Sequence, residues 1–179
     1  MEVGSTMGNV QSVKNVVQEP RFVEGRPMRI AGLRGHYTRD EIARIPAQWQ
    51  RLVALGEVPG RIGRIEYAVV LMLPDGCDYI SGYEVGQSAE LPAEFHSVDL
   101  PGERYAVFAH EGHVSKMQST FVAIFSHWLP ASGYKVAESV EGLAWCIERY
   151  GEKFNPQTGS GDIEIWVPVT ARVEKQKQH

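Results

Sequence analysis

Apolar positions set the first pattern. From Arg104, Tyr105, Val107 and Ala109 recur at every second position, the period of a half-buried strand. Gly112 breaks the run. Ser115 lies three residues before Gln118, the spacing of a capping box that satisfies orphan amides at a helix start. Met117, Phe121, Ile124, Phe125 and Trp128 then recur at helical spacing and form one wide apolar stripe, which Pro130 stops.

The same grammar occurs earlier in the chain. Gly35-His36-Tyr37-Thr38-Arg39-Asp40-Glu41 parallels Gly112-His113-Val114-Ser115-Lys116-Met117-Gln118 at a constant offset of 77 residues. Thr38 and Glu41 make a second capping box. Met28, Ile30 and Leu33 mark a strand before it, and Ile42, Ile45, Trp49, Leu52 and Val53 a helical stripe after it. Pro46 falls inside that stripe, which predicts a kink or two short helices. Internal similarity of this kind outweighs any single propensity.

The rest of each unit follows. Phe22 to Leu33 reads as one strand interrupted near Gly25-Arg26-Pro27. Glu66 to Leu73 is almost wholly apolar, so it predicts a strand buried on both faces. Pro74-Asp75-Gly76 is a turn, and Asp78 to Val85 returns as an antiparallel partner. In the second half, Phe95 to Leu100, Leu143 to Tyr150 and Asp162 to Val169 are the corresponding strands. The fold class expected is α+β. It comprises a tandem pseudo-two-fold β-α-β-β repeat, a curved antiparallel sheet with both helices on one face, and a central ligand cleft. The expected layout is a loose lead-in over 1–19, a domain over 20–169 with repeats at about 20–90 and 94–169, and a polar tail over 170–179.

Composition narrows the function classes. Of the 179 residues, 43% are hydrophobic and 22% charged, which are globular values. The net charge of −4 and the absence of a basic stretch beyond Lys175-Gln176-Lys177 argue against direct nucleic-acid binding. No run approaches a membrane span and no apolar signal core opens the chain, so a cytoplasmic location is the expectation. Cys77 and Cys146 read as separate buried thiols.

Few chemical motifs are present. His110-Glu111-Gly112-His113 places two histidines three apart across a glycine corner, whereas a zinc helix needs them four apart. It reads as a solvated corner, and neither a metal nor a cofactor is expected. The stronger signal is a set of carboxylates and aromatics on the strands. Glu148 and Tyr150 share one strand face. Asp162, Glu164 and Trp166 share a face of the next strand. Tyr79, Tyr83 and Glu84 lie on the first unit's last strand, Tyr67 on its partner, and Trp145 points away from Glu148. These residues either line a solvated face or wall a pocket in which aromatic rings and a poorly solvated carboxylate attract a cation.

Asp78-Tyr-Ile-Ser-Gly-Tyr-Glu-Val85, Tyr105-Ala-Val-Phe108, Trp128-Leu-Pro-Ala-Ser-Gly-Tyr134, Glu148-Arg-Tyr150 with Phe154, and Asp162-Ile-Glu-Ile-Trp-Val-Pro-Val169 together resemble the GyrI-like family. This is the effector-binding domain of AraC-type and multidrug-sensing activators, with stand-alone, integron-associated versions. The resemblance runs from about Arg21 to Val169. It implies a lipophilic, often cationic ligand held by Glu164 or Glu148 with Tyr150, Trp166, Trp145, Tyr83, Tyr67 and Phe108. With about 20 residues before the domain, the chain reads as a stand-alone member.

Three functions follow from the resemblance. The leading one is a binding module that senses or sequesters such compounds, with a separate transcription regulator as a further partner. The second is a metal-independent hydrolase of strained cyclopropane-bearing toxins, with Glu164 or Glu148 acting on water. The third is a protein-interaction module like the gyrase inhibitor that names the family. Because Glu164 stands beside Trp166, Glu164→Gln is expected to weaken binding of a lipophilic cation.

Overall fold

The computed structural model describes residues 18–173. Most of the expected lead-in, and the tail from residue 174, lie outside them. The first repeat consists of β2 (Met28–Thr38), a 3-10 turn (Arg39–Arg44), α1 (Ile45–Ala54), β3 (Glu66–Leu73) and β4 (Gly76–Glu84). The second consists of β6 (Arg104–His110), a 3-10 turn (Val114–Lys116), α2 (Met117–Val122), a π-helical stretch (Ala123–Trp128), α3 (Leu129–Ala131), β8 (Trp145–Tyr150) and β9 (Ile163–Ala171). A leading strand precedes each repeat: β1 (Arg21–Glu24) and β5 (His96–Leu100). A short β7 (Tyr134–Val136), absent from the sequence expectation, pairs with β9.

Pairing confirms the duplication. In each repeat the first strand pairs with the third and the third with the second: β2·β4·β3 and β6·β9·β8. The halves join through the two second strands, β3 and β8, in register from Glu66↔Tyr150 to Leu71↔Trp145. Every pair is antiparallel, and both helices pack on one face, as expected.

The leading strands are exchanged. β1 pairs with β6 of the second repeat, and β5 with β2 of the first. The reading of Phe22 to Leu33 as one interrupted strand is therefore corrected to two strands near opposite ends of the sheet order β1-β6-β9-β8-β3-β4-β2-β5. Laid flat, β1 and β2 would stand roughly 29 Å apart at about 4.8 Å per strand. The short link from Glu24 to Met28 spans at most about 15 Å. The sheet therefore curls until its ends meet, and Gly25 N–H donates to the Glu103 carbonyl at 2.8 Å where the two links touch. The inside of the curl is filled by Ile30, Val69, Leu71, Leu100, Tyr105, Trp145 and Ile147, which come from both ends of the order. The opposite face carries the helices.

Local details depart from the pattern for physical reasons. Pro46 sits in the first turn of α1, where its missing N–H costs nothing, and the preceding turn is 3-10, so the two-piece expectation holds. The Thr38–Glu41 capping box forms. The Ser115–Gln118 box does not. His113 Nδ1 caps instead, accepting the Ser115 N–H at 3.0 Å. Pro130 does not stop the second helix but lies within α3, and Gly133, at φ +76°, turns the chain out. β9 extends two residues past the expected boundary at 169.

Gly32 and Gly82 pair across β2 and β4. A Cβ on Gly32 would come within 1.8 Å of the Ser81 carbonyl oxygen, and one on Gly82 within 2.0 Å of that of Ala31. The strands approach here more closely than any side chain allows. Gly82→Ala is expected to destabilise the fold by about 2–3 kcal/mol, the cost of forced overpacking, read as a lowered urea midpoint. An unchanged midpoint would show that the pair can spread without loss.

Candidate functional site

The helix-facing side chains of the central strands follow from the register. β8 contributes Cys146, Glu148 and Tyr150. β3 contributes Glu66, Ala68, Val70 and Met72. β4 contributes Cys77, Tyr79, Ser81 and Tyr83. Over them lies α1, anchored by the fully buried Gln48. Its amide nitrogen donates to the carbonyls of Leu33 and Tyr79 at 2.9 and 3.0 Å and to Ser81 Oγ at 2.9 Å. Its amide oxygen accepts from the Tyr37 hydroxyl at 2.6 Å. This anchor fixes the neighbouring Trp49 above the seam between the repeats.

At the seam a carboxylate is buried among hydroxyls. Tyr79, from the first repeat, donates to Glu148 Oε1 at 2.7 Å, and Tyr150, from the second, donates to the same oxygen at 2.8 Å. Trp49 Nε1 donates to the Tyr79 oxygen at 3.0 Å. The Trp49 ring meets Tyr79 and Tyr150 edge to face at 6.5 and 5.5 Å, and Phe154 closes on Tyr150 at 5.0 Å. Across the seam from Glu148 stands Ala68, small enough to leave the carboxylate room.

Glu148 is only 7% exposed. Among the described residues, no Lys, Arg or His lies within ion-pair reach of it, and no donor reaches Oε2. Burial pushes its pKa above the ordinary carboxylate range, opposed by the bonds from Tyr79 and Tyr150. Burial, reinforced by the charge of Glu148, pushes both phenols well above 10, so both remain donors.

The surrounding surface is apolar. Val70 and Met72, on the central strand, are partly buried and belong to the same apolar cluster as Trp49 of α1 and as Phe121 and Phe125, which stack at 6.0 Å. The two best-formed cavities lie away from Glu148, one beside Phe22, Trp128 and Tyr134 and one beside Glu103, Val136 and Thr170.

The sequence-predicted residues divide between the two faces of the sheet. Glu148 and Tyr150 belong to the cluster. Tyr83 lies on the same face at the α1 end, and Phe108 is fully buried on that face under the helix of the second repeat, against Trp128. Glu164, Trp166, Trp145 and Tyr67 face the inside of the curl. Glu164 is held by Arg21, Arg149 and the Trp166 indole. Burial would raise its pKa, but those bonds and charges outweigh it and hold the group below the ordinary range. Glu164 is thus an ion-paired group on the opposite face of the sheet from Glu148. Tyr79, read in the sequence among the aromatics that could wall a pocket though not among the ligand residues implied by the resemblance, and Trp49, read only as part of a helix stripe, complete the cluster. His110, expected in a solvated corner, is buried, with its ring bonded to Thr120 and the His113 carbonyl. Among the described residues no cluster of three or more His, Cys, Asp or Glu could hold a metal. No described helix is long and apolar enough to cross a membrane.

A carboxylate whose pKa is raised by folding destabilises the fold increasingly as pH rises from its ordinary value through the raised one. Glu148→Gln is therefore expected to melt a few degrees above the wild type at pH 8 and level with it near pH 4. Thermal melts at both pH values check this, and a variant less stable at pH 8 would show that ionised Glu148 is well compensated.

Comparison with known proteins identifies the family. Residues 18–170 match the GyrI-like small molecule binding domain. The transcriptional regulator BrlR of Pseudomonas aeruginosa is 25% identical over 83% of this chain and 54% of its own length. A DNA gyrase inhibitor of Erwinia billingiae is 29% identical over 63% of this chain and 62% of its own. The chain thus spans less than two thirds of either relative. Among solved structures, SAV2435 bound to tetraphenylphosphonium superposes with a TM-score of 0.62 at 20% identity, covering 86% of this chain and 94% of that one. The family match over residues 18–170, most of the chain, leads to one assignment: this chain belongs to the GyrI-like family of small-molecule-binding domains.

Proposed function

We propose that the groove between the helices binds a lipophilic organic cation, with Glu148 as its counter-charge and Trp49, Tyr79 and Tyr150 as aromatic walls. One observation carries the reading: Glu148 is a desolvated carboxylate with hydroxyl donors on Oε1, no cation within reach, and Oε2 unbonded among the described residues. A cation placed there gains Coulomb energy in a poorly solvated setting and attraction from the ring faces. The tetraphenylphosphonium held by the similar fold of SAV2435 supports the ligand class.

Trp49 sets the entry condition. Its ring covers the two tyrosines, so a ligand reaching Glu148 displaces it and strains the Gln48 anchor of α1. Ligand occupancy thereby moves α1, whose outer surface carries the exposed Val53. That coupling suits a sensor that reports to a transcription regulator.

Calorimetry with tetraphenylphosphonium at pH 7.5 tests the reading. Glu148→Gln is expected to weaken binding by about 10- to 100-fold, the scale of a charge-assisted contact of roughly 1.5–3 kcal/mol. Glu164→Gln is expected to leave it within about twofold, because its partners are Arg21 and Arg149. Undiminished binding by Glu148→Gln, or an equal loss with Glu164→Gln, would overturn the assignment.

A further inference from the structure

A cavity of about 330 Å³ lies between β1, the end of the second repeat's helix and β7. Glu19, Phe22, Trp128, Ala131, Ser132 and Tyr134 line it. Three aromatic rings from three separate elements thus meet at one opening, with a carboxylate beside them.

Each ring is held in place. Trp128 ends the π-helical stretch, whose turns take one more residue than α turns. Its indole rests edge to face on the buried Phe108 at 5.0 Å. Tyr134 opens β7 opposite Ala171. Its N–H donates to Ser132 Oγ at 3.0 Å, and its carbonyl accepts from Arg172 Nε at 2.9 Å. The Trp128 and Tyr134 rings lie within 9° of parallel, with centroids 6.3 Å apart. Phe22 stands on β1 opposite Ala106, 40% exposed, and its ring meets Tyr134 at 5.4 Å.

The chemistry of the lining selects the ligand. Ring faces attract cations, and Arg104 already lies over Phe22 at 4.7 Å without lining the cavity. Glu19 supplies negative charge at the opening, and among the described residues no cation pairs with it. Ser132 Oγ is already engaged, donating to the Leu129 carbonyl at 2.7 Å and accepting the Tyr134 N–H. A primary ammonium pressed against three rings would give up hydrogen bonds to water that the rings cannot replace. A quaternary ammonium has no N–H to satisfy, and its methyl groups pack on ring faces. We propose that this corner is a second ligand site, an aromatic cage for the trimethylammonium group of a small soluble compound. Glu19 would repel the phosphodiester that adjoins choline in a lipid, so the source is a free compound. The site is separate from Glu148 and does not depend on the reading of that group.

NMR titration of the Trp128 indole N–H reads the site directly. Choline, its neutral isostere 3,3-dimethylbutan-1-ol, and ethanolamine separate charge from fit. Choline is expected to shift the Trp128 signal saturably and to bind at least about fivefold more tightly than either other probe. Tyr134→Leu and Phe22→Leu are each expected to weaken choline binding by about three- to tenfold, and Glu148→Gln to leave it within about twofold. Thermal melts matching the wild type exclude a folding defect. Phe22→Leu, at an exposed ring, carries the test if Tyr134→Leu fails to fold. Equal binding of the neutral isostere would reduce the corner to an apolar cleft and overturn the cage. So would choline binding that moves only the other indoles, or that is lost in Glu148→Gln. Co-sedimentation of the protein with phosphatidylcholine vesicles would overturn the soluble source.

Discussion

The ladder between β3 and β8 is the constraint on which the molecule depends. It is the only register in which the two repeats share a floor, and it aligns side chains that neither repeat could bring together alone. Tyr79 comes from one half and Glu148 and Tyr150 from the other. A shift of one residue would turn Glu148 into the apolar interior of the curl and Ile147 out under the helices. The apolar run Tyr67 to Leu71 resists such a shift. Tyr67, Val69 and Leu71 fill the inner core, and Ala68 alone leaves space beside the carboxylate.

Burial then sets the chemistry. Both faces of the sheet carry a glutamate on the central or adjacent strands, and their surroundings separate their roles. Glu164 lies between two arginines and an indole, so its charge is already compensated. Glu148 receives only neutral hydroxyls, which stabilise the anion in part and leave its field intact for a cation. The difference is one of neighbours, since the two groups are chemically identical.

The exchanged leading strands brace this floor. Each repeat's leading strand pairs with the other repeat, so the halves are tied at both sheet ends as well as at the seam. The short links after β1 and β5 hold the curl, and the close Gly32–Gly82 pairing lies in the β2·β4 ladder next to one end. The helices rest on the opposite face of the sheet, and α1 is held there through Gln48.

The chain's own order of residues determined the duplication and the strand and helix sequence of each repeat. Periodicity and turn residues act over a few positions, so Thr38–Glu41, the β3 run and Gly112 could be read directly. The exchange of β1 and β5, the His113 cap and the short β7 were not legible, because each depends on a partner far along the chain or on a geometry with no local motif. The difference between the surroundings of Glu148 and Glu164 was illegible for the same reason. Both stand on alternating strands beside aromatics, and the sequence shows which residues share a face but not which face meets the helices. Only the tertiary structure separated their surroundings, because the curl encloses one face, where Arg21 and Arg149 meet Glu164, whereas on the other face Trp49 and two tyrosines lie over Glu148 with no cation in reach among the described residues.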